Sequence, residues 1–151
     1  MVGVLIVAHA PLGDAMLLCV EHVFGQRPER LVAVDVLPDT DPAALARQLR
    51  ELLALLNDGS GVLVLTDIIG STPSNIASSL AQDQQANVLT GINLPMLLRA
   101  LNHRNLPLEE LTEKVMLGGR NAILNTRATA PQQQTITTGD KQDAASRSID
   151  Q

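Results

Sequence analysis

The sequence predicts an α/β fold: a doubly wound, mainly parallel four-stranded sheet of order 2-1-3-4, with helices on both faces. Three observations predict it. Val2–Ala8, Leu31–Val36 and Val62–Leu65 are short Val/Leu/Ile-rich runs that do not alternate with polar residues, as expected of parallel strands covered on both faces. Stretches with apolar residues at helical spacing separate these runs. The resulting strand–helix alternation demands right-handed crossovers, which wind helices onto both faces.

Each element follows from its residues. The first strand delivers His9 into an Ala10-Pro11 turn. Leu12, Ala15, Met16, Cys19, Val20 and Val23 then recur at helical spacing, and Gly25 supplies a stop. After the second strand, Asp41-Pro42 reads as an N-cap followed by proline at the first helical position. Leu45, Leu49, Leu52, Leu53 and Leu56 form that helix's apolar stripe, and Asn57-Asp58-Gly59 closes it. After the third strand, Thr72-Pro73 predicts the same cap-plus-proline start for a helix to about Ala81. Ala86–Thr90 is a weaker fourth strand. Gly91 and Asn93 suit a tight turn, and Pro95 opens a fourth helix to Leu101. In that helix Leu97, Leu98 and Leu101 are expected to pack inward, with Met96 at the rim. A fifth helix is expected over Leu108–Leu117, and Ala122–Leu124 as a short edge strand. From about Arg127 the chain is Gln/Thr/Ser-rich and nearly free of large apolar residues. Such a segment buries too little surface to offset its ordering entropy, so residues 1–127 form the expected domain and 128–151 a flexible polar tail.

Composition narrows the function. The chain has 151 residues, a net charge of −5, no Trp or Tyr and one Phe, Phe24. A nucleic-acid partner needs a basic face and, for single strands, aromatic stacking platforms, and neither is present. The start, MVGVLIVA, lacks a basic leader and is too short to span a bilayer, so it reads as a strand. The lone Cys19 forms no internal disulfide, in keeping with a reducing, cytoplasmic setting.

In a 2-1-3-4 sheet the connection reverses between strands one and three, and ligands bind beyond the carboxyl ends at that switch point. The residues just past those ends are His9 and Asp67. A carboxylate holding one ring N–H fixes the imidazole tautomer and frees the other nitrogen as a nucleophile. Asp67 opens the segment LTDIIGSTPSNIA (residues 65–77), whose Gly70, Ser71 and Thr72 turn into a proline-started helix. Backbone N–H groups and hydroxyls at such a start favour a phosphoryl group. Neither GxxxxGK[ST] nor GxGxxG occurs, which argues against nucleotide triphosphate and dinucleotide sites. One His with one Asp is too thin a set for a metal site, and no cofactor is implied. His22, on the first helix, and His103, near a helix C-terminus, read as structural.

VAHAPLG, LTDIIGSTPSNIA and TGINLPMLLRAL (residues 90–101), in this order, resemble the mannose-family enzyme IIA (EIIA) of the bacterial phosphotransferase system (PTS) over roughly residues 1–127. The resemblance implies a cytoplasmic phosphoryl carrier. His9 matches the phosphoacceptor, charged by phosphorylated HPr, and Asp67 matches its orienting carboxylate. Gly70, Ser71 and Thr72 match the phosphate-facing loop. A IIB component or a regulatory protein is the implied acceptor, with membranes involved only through a transporter. Family members form homodimers that exchange a C-terminal edge strand, here near Ala122–Arg127. The chain departs from the family in Ala10-Pro11 after the histidine and in Ile68, Ile69 and Ser71 after the aspartate.

Two other readings follow from the same residues. A regulatory module would take phosphate on His9 but act by binding a partner according to phosphorylation state, without a transport role. A receiver domain with Asp67 as phosphoacceptor needs clustered acids after strand one and a lysine after the last strand. Strand one ends instead in His9, and Lys114 falls in a predicted helix.

Overall fold

A computed structural model describes residues 1–127 except Asp83; the predicted tail, 128–151, lies outside the described residues. The elements are β1 (Gly3–His9), α1 (Leu12–Phe24), β2 (Leu31–Val36), α2 (Pro42–Leu56), β3 (Val62–Thr66), α3 (Thr72–Ala81), β4 (Ala86–Thr90), α4 (Leu94–His103) and α5 (Leu108–Asn121). The sheet order is β2-β1-β3-β4, and every pairing is parallel.

β1 and β3 occupy the centre, and Gly3–Ala8 and Val62–Thr66 are buried throughout. Alternate side chains feed two cores, since successive residues of a strand point to opposite faces. Val4, Ile6, Leu63 and Leu65 pack with Leu17, Val20, Leu97 and Leu111 of α1, α4 and α5. Leu5, Val7, Val62 and Val64 pack with Leu49, Leu53, Ala77 and Leu80 of α2 and α3. The second face leans on the α2 leucine stripe, each of whose buried members contributes about 2 kcal/mol of hydrophobic stabilisation.

Several boundaries differ from those the sequence predicts. α3 is capped by Ser71, whose hydroxyl accepts from the Ser74 N–H, so Thr72 is its first helical residue and Pro73 its second. α4 is capped by Asn93, with Pro95 again second. α1 turns Leu17 and Val20 inward and leaves Ala15 and Cys19 exposed. Apolar residues flank its inward stripe on both sides, so only the sheet beneath it selects the face. Met96 is buried, not at a rim. α5 continues through Gly118-Gly119 to Asn121, because it lies so close to α4 that a Cβ on Gly119 would stand 2.2 Å from Met96 Cγ. Ala122–Arg127 forms turns and irregular backbone and no strand. Helix α5 runs on to Asn121, directly before this segment, and Ile123 and Leu124 are exposed.

Candidate active site

Parallel pairing of β1 with β3 brings the ends of both central strands together. Val7 lies opposite Thr66, so the chain delivers His9 and Asp67 side by side past the sheet. The Asp67 carboxylate grips the histidine twice. Oδ2 accepts the His9 backbone N–H at 2.9 Å and lies 2.7 Å from His9 Nδ1. Oδ1 accepts the Ile68 N–H at 2.8 Å.

Burial works to raise the Asp67 pKa, but the hydrogen bonds from the His9 backbone, the His9 ring and the Ile68 N–H outweigh it. The carboxyl is held below its ordinary value. An ionised carboxylate only accepts hydrogen bonds, so the network assigns the shared proton to Nδ1 and points Nε2 outward. The two side chains are exposed to very different extents, 51% for His9 and 9% for Asp67. The pair is therefore an accessible ring nitrogen on a shielded acidic support.

The backbone around the pair is tied down from the neighbouring strand. The Thr66 and Asp67 carbonyls accept the N–H groups of Ile92 and Gly91, each at 3.0 Å. Gly91 makes this turn at φ +83°, a conformation that favours glycine. From Asp67 the chain turns through Gly70, at φ +78°. Asn75 Nδ2 donates to the Gly70 carbonyl at 3.2 Å. Ser71 Oγ donates to the Ile68 carbonyl at 2.8 Å while capping α3, so its hydroxyl has a structural task already. Thr72 and Gly70 are exposed at the α3 start.

His9 and Asp67 thus touch directly, and Gly70, Ser71 and Thr72 lie on the loop that leaves Asp67. His22 and His103 sit in the last turns of α1 and α4. Among the described residues no group of three or more His, Cys, Asp and Glu is arranged to hold a metal ion, and no helix is long and apolar enough to cross a membrane.

Two features escape the sequence reading. Leu37, Ile68 and Ile69, which follow the ends of β2 and β3, are exposed. Asp35, the one acid in the apolar run LVAVDV, reaches from β2 to α1. Its Oδ1 accepts the Gly13 N–H at 2.7 Å and its Oδ2 the Asp14 N–H at 3.3 Å. The signal was a charged residue in a strand covered on both faces, which needs a partner.

The model of the family described as "PTS system fructose IIA component", EIIA-man, matches residues 3–116. The chain belongs to the mannose-type EIIA family. It is 33% identical over 124 residues to the fructose-specific EIIA component of Bacillus subtilis, covering 82% of each protein. It is 30% identical over 105 residues to the mannose-specific EIIAB component of Escherichia coli K12, matching 69% of this chain and 32% of that protein. The chain thus spans about a third of the EIIAB protein. Among solved structures, an EIIA component from Streptococcus agalactiae superposes with a TM-score of 0.78 at 28% identity, covering 85% of this chain and all of that one. The EIIA family match spans β1 to most of α5 and so contains the whole His9–Asp67 site.

Proposed function

We propose that the chain is a phosphoryl carrier of the PTS: His9 Nε2 takes a phosphoryl group from phosphorylated HPr and surrenders it to a IIB component. The observation that carries this reading is the 2.7 Å contact of His9 Nδ1 with a shielded Asp67 carboxylate, beneath a half-exposed ring. In the forward step the Nε2 lone pair forms a bond to phosphorus. The donor's phosphorus–nitrogen bond breaks, and its electron pair stays on the departing imidazole. The Nδ1 proton does not move: Asp67 offsets the positive charge that the ring gains and is not itself protonated. The Gly70–Thr72 turn at the α3 start faces the incoming oxygens with backbone N–H groups and the Thr72 hydroxyl. The exposed Leu37, Ile68 and Ile69 provide apolar contact for the protein partners. This reading places the chain in the cytoplasm, near membranes only through a transporter. It takes the chain as a homodimer.

The test is incubation with phosphoenolpyruvate, enzyme I and HPr. One acid-labile phosphoryl group per chain is expected on His9, and His9→Ala abolishes it. Phosphate on any other residue overturns the assignment.

A further inference from the structure

Four helices, α1 to α4, start at the end of the sheet that carries His9, and the two that follow the central strands, α1 and α3, have their first turns finished differently. α3 is capped locally by the neutral Ser71. α1 has no side-chain cap from Pro11, its own N-cap residue. Its cap is the Asp35 carboxylate, reaching from the neighbouring strand to the N–H groups of Gly13 and Asp14. The approach is so close that a Cβ on Gly13 would stand 2.6 Å from Asp35 Oδ1. Asp35 pairs with Ala8, the residue before His9, and the Val36 carbonyl accepts the Ala10 N–H at 3.0 Å. The turn from His9 into α1 is therefore bound to β2 at both Asp35 and Val36.

A helix start carries about half a positive elementary charge. At α1 a full negative charge sits directly on it, whereas the α3 start is capped by the neutral Ser71 hydroxyl and has no acid in its first turn. Of the two helix starts that follow the central strands, an anion arriving at His9 thus meets one that is attractive and one that is neutralised or repulsive. We propose that Asp35 is a positioning residue: it clamps the first turn of α1 behind His9 and cancels that helix's field, directing a phosphoryl group toward α3 and keeping it weakly held. The proposal rests on His9 as the phosphoacceptor. A phosphoryl group close to fixed negative charge is destabilised before transfer, which suits a carrier that must release it.

The experiment uses two neutral replacements: Asp35→Asn, whose amide oxygen can still accept the Gly13 N–H, and Asp35→Ser, whose shorter side chain withdraws the acceptor. Parent and variants are loaded on His9 chemically with phosphoramidate, without any partner protein, and the site is confirmed by mass spectrometry. The lifetime of phospho-His9 is then followed at neutral pH, with amide exchange at Gly13 reporting whether α1 stays clamped. Removing one nearby charge should lengthen the lifetime about threefold to tenfold and shift the phosphoryl equilibrium with HPr toward this chain. Lifetimes equal to the parent's in both folded variants overturn the proposal, as does a loss of thermal stability alone. Failure of the parent to accept phosphate from HPr, with the lifetime effect intact, counts against the donor assignment and leaves the Asp35 effect standing.

Discussion

Asp67 holds His9 at two points with one oxygen: Oδ2 accepts the histidine's backbone N–H at 2.9 Å and lies 2.7 Å from its Nδ1. A single carboxylate thereby sets both where the strand end lies and which way the ring turns. Removing it should affect placement and chemistry together. Asp67→Ala is expected to fold yet accept phosphate from HPr about tenfold or more slowly, as is usual when the partner that orients a reactive imidazole is lost. Rapid-quench phosphorylation measures the rate, and equal rates for variant and parent would remove Asp67 from the mechanism.

The same pair makes stability depend on acid. The Asp67 pKa is lower in the folded chain than its ordinary value. A depressed carboxyl contributes stability above its unfolded pKa, near 4, and loses it as pH falls through the folded value. The melting-temperature gap between the parent and Asp67→Asn should therefore be widest near neutrality and shrink below about pH 4. A gap that stays constant from pH 7 to pH 3 would contradict this.

Ser71 separates structure from chemistry. Its hydroxyl caps α3 and bonds the Ile68 carbonyl, so Ser71→Ala should cost about 1 kcal/mol of stability. Ser71→Asp retains a capping oxygen but adds negative charge to the phosphate-facing turn. It should recover the cap but not the bond to the Ile68 carbonyl, which an acceptor-only carboxylate cannot donate, so stability returns in part while phosphorylation slows. Thermal melts and phosphotransfer rates on the two variants check both halves.

Gly118 and Gly119 are neighbours with opposite expected outcomes. A Cβ on Gly118 meets the exposed, flexible Arg99 side chain, which can swing into solvent. Gly118→Ala should be neutral or stabilising by up to about 1 kcal/mol through helix propensity. At Gly119 the Cβ meets buried Met96 and the substitution should cost about 1–3 kcal/mol. Denaturant midpoints for the two variants report the difference directly.

Much of this arrangement was legible in the residues. The uninterrupted apolar runs mark β1 and β3 as central, and Asp41 before Pro42 marks the start of α2, whose side-chain cap the structure contains. His9 and Asp67 stand out because each directly ends or follows a buried strand. What stayed hidden depends on distance in space. The α3 cap is Ser71 and not Thr72, because which of two adjacent hydroxyls caps a helix depends on how the loop closes after Gly70. The α5 helix runs through two glycines because α4 lies against them, a proximity that helix propensity does not contain. Asp35 looks like a lone acid in a strand until α1 is laid across it.

The sequence by itself determined the strand–helix order, the parallel sheet and the two residues at its switch point, since period, cap chemistry and apolar runs are local properties. Only the tertiary structure decided that one carboxylate oxygen serves both the backbone and the ring of His9, that β2 caps α1, and which face of α1 turns inward. Those outcomes depend on packing between segments far apart in the chain, where distances of a few tenths of an ångström separate a hydrogen bond from a clash.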